Sequence, residues 1–169
     1  IALLMNKMII PYFIVYCFRH LEKNYFFSSG LSFFCSLSVF IVGDNKFLTD
    51  NEGNFLTFTY DGVGGLMAVE GTTFMDNASQ YCLGAGTIPG KGFEMGHCKI
   101  NQMDGDTIFT YYEIPLGDSM NGTFKCLGGT GKYKGIECSG STGYTPINSA
   151  QENKFASSIY FKGEYSLMK

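Results

Sequence analysis

Hydrophobic and polar positions alternate with a period of two along much of the chain after residue 54. Near the C-terminus, Ile159 and Phe161 fall on one face of such a stretch, whereas Lys162 and Glu164 fall on the other. This is the pattern of a β-strand with one buried face. Turn sequences rich in glycine separate the stretches, as is typical of hairpins. We expect strands at residues 54–60, 66–72, 81–87, 91–100, 107–114, 123–127, 135–145 and 157–167.

These strands predict a single all-β domain at residues 54–169. Consecutive strands with short connections form an antiparallel sheet in meander order, and about eight strands are enough to close a small β-barrel. In this interpretation the glycine-rich sequence Asp61–Gly65 is the first hairpin turn. Composition agrees with the assignment, because 20 of the 22 glycines lie from Gly53 onward.

Residues 1–50 have a different character and predict a targeting segment in front of the barrel. Leu31–Val42 has the length of the apolar core of a signal peptide, and Arg19 and Lys23 precede it. Ser36-Leu37-Ser38 supplies small residues at the spacing of a cleavage site. A membrane anchor over Asn24–Gly43 and spurious translation upstream of the true start are the alternatives.

Four cysteines are placed symmetrically in two predicted hairpins. Cys82 and Cys98 are equidistant from Gly90, and Cys126 and Cys138 are equidistant from Lys132. Residues directly opposite each other in a hairpin have the short Cβ separation that a disulfide requires. We therefore expect the pairs Cys82–Cys98 and Cys126–Cys138, and a secreted or periplasmic protein, since disulfides persist in oxidising compartments. Four free thiols in a reducing compartment are the alternative.

The faces of the two cysteine hairpins are not equally clear. In the second hairpin Phe124 and Ile136 share a face with the cysteines, which predicts that its disulfide points into the core. In the first hairpin one face carries Leu83, Phe93 and Met95, and the other carries the cysteines, glycines and Glu94. We expect the Leu83, Phe93 and Met95 face to be inside, although a glycine-rich inner face is the alternative.

A glycine-rich connection follows the third-last strand. Its sequence, Gly128-Gly129-Thr130-Gly131-Lys132-Tyr133-Lys134-Gly135, lacks P-loop spacing and lies between strands. We interpret Gly128, Gly129, Gly131 and Gly135 as residues of a tight structural turn, with Tyr133 folded back onto the end of the barrel.

The segment from Gly122 to Gly143, with its Gly-Gly-Thr-Gly-Lys-Tyr turn, resembles the corresponding part of small β-barrels of the allene oxide cyclase and dirigent type. It is also similar to small exported bacterial proteins of unknown role. The resemblance covers about a third of the domain by motif. It implies a barrel fold, and a function in which the barrel shapes a small hydrophobic molecule: the cyclases isomerise a fatty-acid epoxide, and dirigent proteins direct phenoxyl radical coupling. No catalytic residue of either family can be placed on this chain.

Charge and composition narrow the possible partners. The net charge of −3 argues against a nucleic-acid partner, and the absence of arginine after Arg19 argues against nucleotide or phosphosugar substrates. One histidine in the domain, His97, makes neither a triad nor a metal site, and Asp104 and Asp106 lack the spacing of a calcium loop. We expect no metal and no cofactor, and contact with a membrane only through the N-terminal segment.

The remaining candidates for chemistry are Glu70, Glu94 and Glu113, each of which lies in a predicted strand, and Tyr111. A glutamate that points inward would have a raised pKa and could act as an acid or base. Three functions stay open: an exported barrel that binds a small apolar ligand, a structural or interaction module with a filled core, and a cyclase, isomerase or dirigent-like protein. Enzyme activity is undecided, and the absence of a catalytic constellation favours a non-enzymatic protein.

Overall fold

Each strand of the protein pairs with its neighbour in the sequence, and the last strand returns to the first. In the computed structural model, residues 33–69, 73–117 and 119–167 are described. The eight antiparallel strands form a closed barrel in the order β1 to β8, which confirms the predicted all-β meander. The strands are β1 (Phe33–Thr49), β2 (Phe55–Ala68), β3 (Ala78–Thr87), β4 (Phe93–Asn101), β5 (Thr107–Pro115), β6 (Asn121–Gly129), β7 (Glu137–Ile147) and β8 (Phe155–Ser166).

Strand β1 closes the barrel by pairing with β2 on one side and with β8 on the other. Leu37, Val39 and Ile41 point inward and are buried, whereas Phe40 points outward and is exposed. The structure therefore corrects the predicted start of the domain at residue 54, because part of the stretch assigned to the targeting segment is a barrel strand. The apolar outward residue hid the alternation of the strand and made it look like a signal-peptide core.

The rest of the predicted targeting segment, residues 1–32, lies outside the described residues. Within the described part of the chain, no helix has the length and apolar character needed to cross a membrane.

Strand β2 replaces two predicted strands and the turn between them. Gly62 and Gly64 pair with Gly43 and Ile41 across the β1–β2 ladder, so the expected turn at Asp61–Gly65 is wrong. A Cβ atom on Gly62 would lie 2.8 Å from Cδ1 of Ile41. The glycine is present because an inward-pointing side chain of β1 crosses over it, which is a common reason for glycine inside a strand. The predicted count of eight strands is nevertheless correct, because β1, which was not predicted, compensates for the merging of two predicted strands into β2.

One end of the barrel is filled by aromatic side chains. Phe74, from the β2–β3 connection, stacks on Tyr165 with ring centroids 3.7 Å apart and meets Tyr133 edge-on at 6.3 Å. Tyr133 belongs to a 3₁₀ turn, Gly131–Tyr133, between β6 and β7 and is 6% exposed. We call this the plugged end. Because the plug occupies this end, any internal space must lie towards the other.

Candidate functional site

A cavity of about 410 Å³ occupies the barrel interior on the side away from the plug. Its rim comes from the ends of strands and from their connections, including Phe47, Ile88 and Ile147, and its wall comes from inward-facing residues of the strands. The wall is mainly apolar. Six of its larger apolar side chains are Ile41, Phe58, Ile114, Phe155, Ile159 and Phe161. This size is within the range of about 300–1,000 Å³ that is usual for small-molecule sites.

The carboxyl group of Glu94 points into this cavity. Glu94 lies on β4 and is 7% exposed. Its two oxygens accept one hydrogen bond each from tyrosine hydroxyls: Tyr112 on β5 donates to Oε1 and Tyr144 on β7 donates to Oε2, both at 3.1 Å. Side chains from β5, which neighbours β4, and from β7, which lies further round the barrel, thus meet at one carboxyl group. Glu94 is the sole carboxylate among the described residues that line the cavity.

The inward position of Glu94 corrects the expected orientation of the first hairpin. Leu83, Phe93 and Met95 are exposed, whereas Glu94 and the cysteines are buried. Gly96 explains why this face is inside, since a Cβ atom there would lie 2.5 Å from the hydroxyl oxygen of Tyr112. The inner face needs glycine where an aromatic side chain from the next strand lies flat against it. The hydrophobic face is consequently turned to the outside.

Burial controls the proton affinity of this cluster. It raises the pKa of Glu94 from the ordinary value of 4.5 to about 7, and the hydrogen bond from Tyr144 opposes the rise by stabilising the anion. The pKa of Tyr112 is raised well above its ordinary value, chiefly by burial and further by nearby Tyr144. The pKa of Tyr144 is also raised, by burial and by the Glu94 carboxylate. Near neutral pH, both tyrosines are donors and Glu94 is present in both its neutral and its ionised form.

Both predicted disulfides are present. Cys82–Cys98 joins β3 to β4 with a Cα–Cα distance of 4.1 Å, and Cys126–Cys138 joins the second hairpin at 4.9 Å. The cysteines of the first bond line the cavity wall. In the second hairpin, Phe124 and Cys138 are buried, as the alternation predicted. Two disulfides are compatible with an oxidising environment, extracellular or periplasmic.

Two of the other acid/base candidates lie outside the cavity. Glu113 and Tyr111 lie on the outer side of β5, where the tyrosine hydroxyl donates to Oε2 of Glu113 at 3.0 Å. The ring of His97, also on the outside, is 5.3 Å from the ring of Tyr111. Glu70 lies outside the described residues. Of the three candidates that the structure describes, Glu94 alone lies at the site.

The glycine-rich turn after β6 is joined to the β4–β5 hairpin. Gly128, Gly131 and Gly135 have positive φ angles, and Gly129 has the side chain of Tyr133 packed against it. The backbone N–H of Lys132 donates to the Asp106 carboxylate at 3.1 Å, and its ammonium group forms an exposed ion pair with Asp104. These contacts hold the plugged end together.

Among the described residues, no group of three or more histidine, cysteine, aspartate or glutamate side chains is placed to hold a metal ion. The aspartates of the β4–β5 hairpin are engaged with Lys132 instead.

Three residues of the site escaped the sequence interpretation: Tyr112, Tyr144 and Gln80. Each lies an even number of positions along its strand from a residue that points inward, and therefore on the same face. Gln80 is two positions from Cys82, and Tyr144 is six positions from Cys138. Extending the predicted inward alternation of Cys138 along its strand would have found Tyr144, whereas finding Gln80 required the cysteine face of the first hairpin to be assigned as the inner one. The signal was missed because a buried glutamine and a glycine-rich inner face contradict the usual hydrophobic assignment.

Comparison of the sequence with protein-family models and with curated proteins gives no match.

Proposed function

We propose that the protein binds a small, mainly apolar molecule inside its barrel, with the Glu94 carboxyl group as the polar contact. The observation that carries this proposal is the cavity of about 410 Å³, with its mainly apolar wall and its inward carboxylate. A side-chain-filled interior, as a purely structural module would have, is disfavoured by the same cavity. Apolar pockets with a few converging polar groups are the usual form of small-molecule sites.

The Glu94 cluster indicates what the ligand presents to it. Both carboxyl oxygens already accept hydrogen bonds from Tyr112 and Tyr144. When Glu94 is protonated, its own hydroxyl is the group left to donate. A ligand with a carbonyl or ether oxygen at this depth therefore complements the neutral form. We expect such a ligand to bind more weakly above pH 7, where Glu94, with its pKa of about 7, loses the proton.

The proposal is tested by filling the cavity. Ser157 is buried, lines the cavity and follows the inward parity of β8, whereas Ser158 is its exposed neighbour. We expect Ser157→Phe to weaken binding of the neutral fluorophore 1-aminoanthracene at least tenfold, and Ser158→Phe to leave it unchanged. Fluorescence titration measures both, and circular dichroism checks the fold. Equal binding by both variants and the wild type would place the site elsewhere and reject the proposal.

A second candidate function is proton transfer on the bound molecule, in line with the proposed likeness to cyclase-type barrels. The observation that favours it is a cavity-facing carboxyl group whose pKa, about 7, suits both acid and base catalysis near neutral pH. The neighbouring tyrosine hydroxyls would stabilise developing negative charge on Glu94 or on an adjacent oxygen. In this case Glu94 takes a proton from a carbon next to a carbonyl and returns it at another position.

Proton transfer has a direct assay. The α-protons of 2-tetralone exchange with deuterium in D₂O, and proton NMR follows the loss of their signal. We expect the wild type to accelerate the exchange, with a rate that rises through pH 7 as the base form appears, and Glu94→Gln to abolish the acceleration. An equal rate in wild type, variant and buffer would assign Glu94 to binding alone.

We further propose that the protein is exported. The two disulfides support this, because disulfide bonds persist in compartments where thiols are oxidised. Peptide mapping of the protein from its native source, without reduction, is expected to recover both cross-linked pairs. Recovery of the four cysteines as free thiols would refute export.

A further inference from the structure

Gln80 lies deeper in the cavity than Glu94 and is buried without a hydrogen-bond partner among the described residues. It is on β3, is 3% exposed and lines the cavity wall. Neither its Nε2 nor its Oε1 has a hydrogen-bond partner among the described residues. Exchanging the two atoms by rotating the amide would change nothing, since both are unpaired. A buried amide that makes none of its hydrogen bonds is costly, so its place in the interior needs a reason.

The described neighbours of Gln80 offer no substitute partner. Directly opposite it on β4 is Ile100, and opposite it on β2 is Gly64. Next along the inward face of β3 is Cys82, whose sulfur is in the disulfide. The amide thus faces apolar groups and the cavity, and the cavity is the side from which a partner can come.

We propose that Gln80 is a second ligand-binding position, which takes a group that donates and accepts a hydrogen bond together, such as a primary carboxamide or a protonated carboxylic acid. An amide side chain pairs with such a group through two parallel hydrogen bonds, which would satisfy both of its atoms at once. The inference rests on the proposed function, and it adds a chemical class for the inner end of the ligand.

The positions of the two polar groups also describe the shape of the ligand. Gly86 is the residue of β3 opposite Glu94, and it is six residues from Gln80. At roughly 3.3–3.4 Å per residue this is about 20 Å along the strand. A molecule that reaches both groups is therefore elongated, with an apolar middle that passes the Cys82–Cys98 disulfide, a hydrogen-bonding inner end at Gln80, and an oxygen near Glu94.

Three probes of matched length test the inference: 6-phenylhexanamide, methyl 6-phenylhexanoate and hexylbenzene. The amide donates and accepts, the ester accepts only, and the hydrocarbon does neither. Each competes with bound 1-aminoanthracene on the wild type and on Gln80→Met, which keeps the length of the side chain but removes both polar atoms. The quantity compared is the change in the ratio of amide to ester affinity between wild type and variant, because the cost of desolvating each free probe is the same for both proteins and cancels in this change.

We expect the amide-to-ester ratio to fall at least tenfold from wild type to Gln80→Met, while hexylbenzene binds the variant as well or better. An unchanged ratio would overturn the role of Gln80 even if all probes bind. Failure of hexylbenzene and 1-aminoanthracene to bind the wild type would instead reject the proposed function.

A measurement on the wild-type protein tests the inference even if Gln80→Met does not fold. The side-chain ¹⁵N–¹H₂ resonances of Gln80 are expected to move further on addition of 6-phenylhexanamide, which can bond to both amide atoms, than on addition of the ester, which can only accept from Nε2. Equal shifts with both probes would contradict recognition by paired hydrogen bonds.

Discussion

Replacement of Glu94 by glutamine should stabilise the protein at high pH and leave it almost unchanged at low pH. The folded protein holds the Glu94 proton more tightly than the unfolded chain, because its pKa rises from 4.5 to about 7 on burial. The favourable contribution of the neutral carboxyl group is therefore complete below pH 4.5 and is lost as the pH rises to about 7. Glutamine resembles the neutral acid and does not titrate.

The magnitude follows from the two pKa values. Each pH unit between 4.5 and about 7 corresponds to about 1.4 kcal/mol, so the wild type loses about 3 kcal/mol from this group across the interval. Above pH 8 the free energy of unfolding of Glu94→Gln is thus expected to exceed that of the wild type by about 3 kcal/mol more than at pH 4.5. In thermal unfolding the same difference is roughly 10 °C.

Urea unfolding between pH 4.5 and 9, with the disulfides intact, measures the effect. Other titrating groups cancel in the difference between variant and wild type. The matched control is Glu113→Gln, because Glu113 also lies next to a tyrosine hydroxyl but on the exposed side of the barrel. We expect the control to differ from the wild type by less than about 0.5 kcal/mol at every pH. A constant difference between Glu94→Gln and the wild type over the whole range would refute the assignment of a buried, titrating carboxyl group.

Three further changes test the packing around the site. Gly96→Ala should destabilise the barrel by about 1–3 kcal/mol, because its Cβ would collide with the Tyr112 hydroxyl and with backbone; Gly65→Ala, where the new Cβ meets nothing within 4 Å, should be near neutral, and equal effects in urea unfolding would contradict the packing argument. Tyr144→Phe removes one hydrogen bond to the Glu94 anion and should raise the pKa of that carboxyl group further, as ¹³C NMR titration would show; a lowered or unchanged pKa would be evidence against the bond. Replacing both cysteines of the cavity-lining disulfide with serine should cost about 3 kcal/mol in the free energy of unfolding, and no loss would mean that the cross-link does not constrain the unfolded chain.

Local features of the sequence were enough to predict the hairpins that contain cysteines. In a two-stranded ladder the sum of paired residue numbers is constant, so symmetry about a turn selects which cysteines meet. Cys82 pairs with Cys98 in the same ladder that pairs Gly84 with Gly96. The alternation in β8 was equally informative, since Phe161 is buried and Lys162 is exposed. These predictions needed no knowledge of the rest of the barrel.

Features that depend on a neighbouring strand were not predictable in the same way. Gly62 looked like part of a turn because nothing in its own segment shows that Ile41 lies across it. The inner face of the first hairpin was predicted wrongly for a related reason, since that face is completed by Tyr112 from the next strand. Within a single segment of sequence, glycine indicates a turn. Within a sheet, it can instead mark a place where a side chain of a neighbouring strand packs against the backbone.

The sequence by itself determined the β class, the antiparallel meander order and the pairing of both disulfides, because each is set by contacts between residues close in the chain. Only the tertiary structure decided that β1 belongs to the barrel, which face of the first hairpin is inside, and that Glu94 and Gln80 share a cavity. Each of these features depends on strands outside the segment concerned: β1 pairs with β8, more than 100 residues away, and the closed sheet encloses a space that no single hairpin contains.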